Sequence, residues 1–323
     1  MKAIQFATLG GPEVLQLVDA PTPTLGAHDV LVRHHAIGVN FIDTYFRSGL
    51  YKTPLPAFSG QEGAGLVEAV GESVTRFKIG DRIAYCMGPS GAYAELHAVN
   101  ETRAVKLPEA ISFDVAASAL LKGATARYLL RKTFRVERGH VVLIHAAAGG
   151  VGQIAVQWAK HLGATVIASA GSEAKAQIAR ELGADYVLVT ARDDIAKRVR
   201  ELTNGEGVHV VYDGVGKDTW EASLDSLRPL GMMVSYGNAS GAVPPFSPLL
   251  LSQKGALFLT RPTLLHYAAT AELLDETAGD LFDVIISGAV KIAPPARYPL
   301  ADAARAHAEL EARKTTGSLV LTP

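Results

Sequence analysis

The polar and apolar positions of the chain fall into three textures. Up to about residue 122, short alternating runs are broken by glycine and proline, as at 30–34, 65–70 and 82–85. A period of two predicts strands with one buried face, joined by many turns. No long helical period begins before Ser112. From about 123 to 261 strands and helices alternate. Residues 140–145 form a short apolar run that ends in a glycine turn. Val151, Ile154, Ala155, Trp158, Ala159 and Leu162 then recur at spacings of three and four, predicting a one-faced helix that Gly163 ends. After the apolar run 164–170, Ser172 reads as the N-cap of a helix through Leu182, which Gly183 ends. Four more apolar runs lie at 186–189, 208–212, 232–236 and 256–259, with helix-like stretches at 193–203 and 219–227.

Near-continuous apolar strands predict a sheet covered on both faces, and therefore parallel. Six of them with helical crossovers describe a doubly wound α/β domain of the dinucleotide-binding type. Residues 262–323 change again, with a helical pattern over about 264–287, a strand-like Val290-Lys-Ile, a helix over 301–313 and a strand at 318–321. That tail is too short for a comfortable domain of its own. It is expected to fold back on the first region, so that 1–122 and 262–323 form one domain interrupted by 123–261.

A length of 323 residues suits about two domains, and 48% apolar against 20% charged residues excludes a disordered chain. Lys and Arg total 31 against 32 Asp and Glu, for a net charge of −1. A dedicated binder of nucleic acid or anionic membrane needs a basic surplus, so neither partner is expected. The single cysteine, Cys86, supports neither an internal disulfide nor a multi-thiolate zinc site. The first residues hold no apolar signal core, and no run of about 18 apolar residues occurs. The expectation is a soluble, cytoplasmic protein.

The strongest motif is His-Ala-Ala-Ala-Gly-Gly-Val-Gly at 145–152, directly after an apolar strand and opening a helix. Gly149 permits close approach of a pyrophosphate, and Gly152 permits tight packing of helix on strand. The free N–H groups of the first helical turn then face the anion. Ala147 stands where such fingerprints have their first glycine. An NAD site places a carboxylate at the end of the second strand to hold the ribose 2′-hydroxyl. Here that strand ends Ala170-Gly171, followed by Ser172 and Lys175 with Glu173 between them. A hydroxyl, helix-start N–H groups and an ammonium suit a 2′-phosphate, so NADPH is the expected cofactor.

Several segments together extend the reading. They are Gly-Val-Asn-Phe-Ile-Asp-Thr-Tyr at 38–45, Arg-Ser-Gly-Leu-Tyr at 47–51, Gly-Gln-Glu-Gly-Ala-Gly at 60–65, Gly-Asp-Arg at 80–82, Tyr-Asp-Gly-Val-Gly at 212–216 and Gly-Asn-Ala-Ser-Gly at 237–241. With the glycine turn they make the whole chain resemble the quinone oxidoreductase, or zeta-crystallin-like, branch of the medium-chain dehydrogenase/reductase superfamily. The resemblance implies a GroES-like, mostly β catalytic domain built from both chain ends, with a Rossmann domain inserted. Zinc-dependent relatives place a cysteine and a histidine where this chain has Asn40 and Gln61, and their cysteine-rich lobe is missing. Carboxamides are poor zinc ligands, so no metal is expected. His34 and His35 alternate faces of a strand and read as ordinary strand residues.

Carried over position by position, the resemblance implies that Asn40, Phe41 and Thr44 line the nicotinamide end, with Thr125 and Tyr128 also at the cofactor. Gly150 and Val151 cradle the pyrophosphate. Gly171, Ser172 and Lys175 surround the 2′-phosphate. Gly214 and Val215 follow the fourth strand, and Tyr236, Gly237, Asn238 and Ser240 flank the nicotinamide. Thr190 stands where the family often has a tyrosine near the adenosine ribose, which weakens that contact. For catalysis, Asn40, Tyr45 and Tyr51 are candidate donors to a developing oxyanion. Asp43 either orients them or caps a helix. The leading reading is a metal-free NADPH:quinone oxidoreductase. A reductase of activated C=C bonds in enones or enals is the alternative. A cofactor-binding protein with a structural or RNA-binding role is a third reading, opposed by the near-neutral charge. A homodimer is expected, with the edge strand at 256–259 as one place for pairing.

Overall fold

The computed structural model describes all residues, 1–323. Residues 1–124, 268–286 and 292–323 form one compact unit, and residues 125–267 and 287–291 a second. The first stretch carries β1 (Lys2–Phe6), β2 (Gln16–Asp19), β3 (Asp29–Val39), α1 (Phe41–Ser48), β4 (Ala57–Phe58), β5 (Glu62–Val70), β6 (Arg82–Cys86), β7 (Leu96–Asn100), β8 (Ala104–Lys106) and most of α2 (Phe113–Tyr128). The middle of the chain supplies β9 (Val141–Ile144), α3 (Gly150–His161), β10 (Thr165–Ala170), α4 (Glu173–Glu181), β11 (Tyr186–Val189), α5 (Ile195–Leu202), β12 (Val208–Asp213), α6 (Trp220–Ser226), β13 (Leu227–Ser235), α7 (Leu249–Gln253), β14 (Phe258–Thr260) and α8 (Leu264–Tyr267). The returning stretch adds α9 (Ala271–Ile286), β15 (Ala296–Pro299), α10 (Ala303–Glu311) and β16 (Leu319–Thr322).

In the first unit the order β15-β16-β3-β5-β6-β8 forms one sheet, with β7 also paired to β3, and β2-β1-β4 form a smaller one. β3 is central. Its one edge carries β5, while β7 pairs with its first half and β16 with its second. Ala36, Ile37 and Val39 are all buried, so both faces are covered and the period of two fades after His35. Because β16 pairs with Gly38 and Val39, the returning tail closes the sheet immediately before the residues that open α1.

The second unit is a six-stranded parallel sheet in the order β11-β10-β9-β12-β13-β14. The chain starts in the middle at β9, runs outward to β11, then returns to β12 and runs the other way. That reversal is the topological switch point of doubly wound sheets, where ligands bind beyond the C-terminal strand ends. Leu143, Ile167, Leu188, Val211 and Met233 pack with Val199, Trp220 and Leu224 in one buried cluster. Val142, Val166 and Val210 are buried too, which accounts for the unbroken apolar runs.

Three details of the tail correct the sequence expectation. The helix expected over 264–287 is two helices, because Thr270 starts a new one. Its hydroxyl accepts from Leu273 N–H (3.3 Å) and its carbonyl from Leu274 N–H (3.0 Å). Val290-Lys-Ile is not a strand. The Gln157 side chain takes both backbone groups of Lys291, donating to its carbonyl (3.1 Å) and accepting from its N–H (2.9 Å). Residues 287–291 accordingly belong to the second unit and not to the returning part of the first. The pairing strand lies later, at Ala296–Pro299, and the last helix begins after a 3-10 turn at Leu300–Asp302. The structural division falls between Ala124 and Thr125 and between Tyr267 and Ala268, beyond the expected boundaries of 122 and 261.

Candidate cofactor and active site

Three turns follow the strands at the switch point. After β9, Ala146 takes φ +50°, Gly149 N–H bonds back to Ala146 O (2.9 Å), and Gly149 serves as N-cap of α3. A Cβ on Gly152 would lie 2.4 Å from Ala146 O and 2.7 Å from Ala147 Cα, so only glycine fits where helix meets turn. A Cβ on Gly149 would meet only Ala146 O, at 3.1 Å, so its other side is open. Gly150 and Val151 begin α3, where helix N–H groups lack partners within the helix. Beside the turn after β10, the position of a Cβ on Gly171 has no neighbour within 4 Å. Ser172 caps α4 by accepting from Lys175 N–H (3.4 Å), so Ser172 and Lys175 share one helical turn. Thr190 is held to this strand end by its N–H (2.9 Å) and hydroxyl (3.4 Å), both donating to Ala170 O. Arg192, which the sequence reading passed over, reaches the same helix start through Glu173 (3.5 Å) and also pairs with Asp193 (3.0 Å).

The third turn follows β12. Asp213 Oδ1 accepts from Val215 N–H (2.8 Å) and Gly216 N–H (3.0 Å). Gly214 lies against Tyr236 and Gly237, since a Cβ there would meet the Tyr236 ring at 2.8 Å. Ser240 binds Val215 O through its N–H (2.8 Å) and hydroxyl (2.9 Å). Oriented so that both its ends bond, the Asn238 carboxamide donates to Gly237 O and accepts from Arg261. The residues at 214–215 and 236–240 are thereby one hydrogen-bonded ledge. Tyr128 is buried and stacks on Tyr267, with ring centroids 4.6 Å apart, and Thr125 is buried one helical turn before it. The glycine cradle, the open space at Gly171 and the hydroxyl and ammonium on α4 fit a phosphorylated dinucleotide.

In the first unit, Asn40 caps α1. Asn40 N–H donates to Asp43 Oδ2 (2.8 Å), and Asp43 N–H returns to Asn40 O (3.0 Å). Phe41 and Thr44 lie on the first turn, and the Thr44 hydroxyl donates to Phe41 O (2.7 Å). Tyr45 and Tyr51 are half-buried and meet edge to face at 5.4 Å, with Phe46 packed on Tyr51 at 5.6 Å. Asp43 does not sit between these tyrosines but faces inward, accepting from the Tyr93 hydroxyl (2.9 Å). Behind it Tyr93 meets His307 Nε2 (2.9 Å), His307 Nδ1 meets Arg47 (3.0 Å) and Arg47 pairs with Glu311 (2.7 Å). Arginine can only donate, so the His307 proton sits on Nε2 and each link of the chain donates toward Asp43. Burial, with Oδ1 lacking a partner, pushes the Asp43 carboxyl up to about 7 despite the Asn40 and Tyr93 bonds. Burial first and then the Arg47 charge hold His307 down to about 3, hence neutral.

A second buried carboxylate stands beside Asn40. Glu62 Oε2 accepts from the Asn40 carboxamide (2.8 Å) and lies 3.7 Å from the Lys122 ammonium, while Oε1 accepts from Leu121 N–H (2.7 Å). Glu62 and Lys122 escaped the sequence reading. Their signal was an acid opening a glycine-rich apolar strand and a lone lysine after the apolar run Ala119-Leu-Leu. A catalytic zinc does not fit here. Asn40 and Gln61 offer carboxamides, an ammonium already faces Glu62, and no three His, Cys, Asp or Glu side chains converge. Burial pushes the Cys86 thiol far above its usual range, removing it as a thiolate ligand. His34 is buried between Ala94 O (2.7 Å) and the Tyr85 hydroxyl (2.8 Å), whereas His35 stacks on Phe113, as alternation on a strand requires.

Residues 26–109 match the family model described as alcohol dehydrogenase GroES-like domain, and residues 150–272 the one described as zinc-binding dehydrogenase. A quinone oxidoreductase of Pseudomonas aeruginosa is 54% identical over 323 residues, spanning 100% of this chain and 99% of that one. The crystal structure of an Escherichia coli quinone oxidoreductase complexed with NADPH superposes with a TM-score of 0.98 at 48% identity, covering 100% of both chains. A 2-haloacrylate reductase of a Burkholderia species is 44% identical, spanning 97% of this chain and 96% of that one.

Proposed function

Because the chain belongs to the quinone oxidoreductase branch of the medium-chain dehydrogenase/reductase superfamily, we propose that it reduces quinones with NADPH without a metal ion. One observation carries the cofactor choice. At the switch point of the parallel sheet, β10 is followed by the open Gly171 and then by Ser172 and Lys175, where an NAD site would place a carboxylate.

When bound, the dinucleotide supplies a hydride from its nicotinamide ring. The rest falls to the chain. The α3 N-terminus and the Gly149–Gly152 cradle hold the pyrophosphate, and Ser172 and Lys175 hold the 2′-phosphate. The ledge of Gly214, Val215, Tyr236, Gly237, Asn238 and Ser240, with Thr125 and Tyr128, fixes the remainder of the cofactor. Asn40, Phe41 and Thr44 meet the nicotinamide end. Glu62 holds one N–H of the Asn40 carboxamide and so sets its plane, leaving the second N–H to donate. The Tyr45 and Tyr51 hydroxyls donate to the oxyanion that develops on the acceptor. A quinone is electron-poor enough to accept without a Lewis acid. Asp43 acts as a positioning residue, since its carboxyl holds the backbone of Asn40 and turns away from the tyrosines.

The decisive assay follows NADPH consumption with a benzoquinone and, separately, with 2-haloacrylate and a simple enone. Turnover of the quinone that survives dialysis against a strong zinc chelator is the expected outcome. Loss of turnover on chelation overturns the metal-free mechanism. Turnover confined to the conjugated C=C substrates replaces the reading with its alternative, which the haloacrylate reductase relative favours. The enzyme works as a homodimer in the cytoplasm and takes no nucleic-acid partner. The support for the homodimer is the exposed edge of β14 with Phe258, and for the lack of a nucleic-acid partner the net charge of −1; no helix is long and apolar enough to cross a membrane.

A further inference from the structure

A line of four fully buried polar side chains crosses the second unit just below the three turns. Ser169 is near the end of β10, His145 directly follows β9, Ser223 lies on α6 and Asp213 ends β12. The Ser169 hydroxyl lies 2.7 Å from His145 Nδ1, the Ser223 hydroxyl 3.0 Å from His145 Nε2, and Ser223 donates to Asp213 Oδ2 at 2.7 Å. Thr219 donates to the same oxygen at 2.7 Å.

The directions are fixed by chemistry. Asp213 accepts at both oxygens, from the Val215 and Gly216 N–H groups at Oδ1 and from the Thr219 and Ser223 hydroxyls at Oδ2, so the Ser223 proton points to Asp213 and the Ser223 oxygen accepts from His145 Nε2–H. Burial disfavours the imidazolium, which leaves Nδ1 of the neutral ring to accept from Ser169. The line therefore runs one way, Ser169 to His145 to Ser223 to Asp213. It holds a serine, a histidine and an aspartate, but Ser169 and Ser223 are inaccessible to any substrate. A nucleophilic role is excluded on that ground.

Three of the four members stand where a cofactor-facing turn begins, and Ser223 on α6 joins two of them, His145 and Asp213. Ser169 precedes Ala170, Gly171 and Ser172, and its carbonyl accepts from Ala147 N–H of the glycine turn (3.0 Å). His145 leads into that glycine turn, and Asp213 holds the N–H groups of Val215 and Gly216. We propose that this buried line is a positioning device that sets the three turns in register for the dinucleotide, so that its integrity governs cofactor affinity and not the chemical step. The proposal rests on the cofactor reading given above.

The test measures NADPH Kd by fluorescence titration, and kcat with a benzoquinone at saturating NADPH, for Ser169→Ala, Ser223→Ala and Asp213→Asn. Removing one buried partner leaves another unsatisfied, and the expected result is a Kd raised about tenfold with kcat within about twofold. Thr203→Val is the control for destabilisation alone. Thr203 accepts from Gly207 N–H (2.9 Å) before β12 begins, at the end of the sheet away from the turns. It is expected to lower Tm without changing Kd. Nitrogen-15 spectra should show the Nε2–H tautomer of His145 in the unaltered protein. In Asp213→Asn, an amide that faces both hydroxyls lets the line reverse, and the Nδ1–H tautomer is expected.

Unchanged Kd in folded Ser169→Ala and Ser223→Ala overturns the proposal. So does a Kd rise that Thr203→Val reproduces. If the unaltered protein binds no NADPH, the cofactor reading falls and takes this proposal with it. If it binds NADPH but reduces no quinone, only the substrate reading falls, and the Kd comparison still decides the positioning role.

Discussion

Lys175 carries the sharpest expectation at the scale of single residues. It sits on the helical turn capped by Ser172. If its ammonium meets the 2′-phosphate, Lys175→Ala weakens NADPH about tenfold and NADH by less than about twofold, because only one of them carries that charge. Calorimetric titration of both dinucleotides checks this, and equal losses refute the assignment. Asp43 gives a pH-dependent case. Its carboxyl is raised from 3.8 to about 7, so the native state favours its protonated form. The stability it contributes is complete below the unfolded value and is lost as the pH rises through the folded one. Asp43→Asn keeps an acceptor for Asn40 N–H and cannot ionise. Its Tm relative to the unaltered protein should therefore improve on going from about pH 5 to about pH 8. His307 titrates in the opposite sense, losing stability as the pH falls from 6.5 toward about 3, but it is common to both proteins and cancels. The side chains of the candidate site were legible as types at positions. The partners that fix them, Tyr93 and His307 for Asp43 and Glu62 for Asn40, come from the stretch before β7, the returning helix α10 and β5, and no local pattern encodes such pairings.

Elements rather than residues decide how the cradle is built. The strand–turn–helix of β9 and α3 was legible because period and punctuation agree locally, apolar run, glycines, then spacings of three and four. Gly152→Ala tests the packing that agreement implies. The added Cβ would fall 2.4 Å from a backbone oxygen, which cannot move as a flexible side chain can. A loss of about 2 kcal/mol in unfolding free energy, together with weakened NADPH binding, is expected from denaturant titration and fluorescence. The tail shows the limit of the same reasoning. A helical period across 264–287 does not reveal a break when the interrupting residues Ala268 and Ala269 are good helix formers, and the stop came from Thr270 and from Arg103 taking the carbonyl of Ala268 (2.9 Å). Residues 290–292 have the composition of a strand, but a side chain of α3 took the backbone bonds a neighbouring strand would have made.

For the whole molecule the open question is the state of the sheet edges. β14 pairs with β13 on one side only, and Phe258 on it and Leu230 nearby on β13 are more than half exposed. An apolar edge of this kind invites pairing with a second copy. Light scattering should give twice the chain mass, and Phe258→Lys should shift it toward the single chain. A monomer before substitution removes the dimer from the account. The sequence by itself determined the α/β class of fold, the strand–turn–helix with its glycines and the residue types at 40, 61 and 86, because each is written in local period, glycine placement or residue type. Only the tertiary structure decided which buried groups meet: the line from Ser169 to Asp213, the chain from Arg47 to Asp43 and the pairing of Asn40 with Glu62. Those contacts join residues tens to hundreds of positions apart, and burial brings them together at a desolvation cost that only paired hydrogen bonds offset.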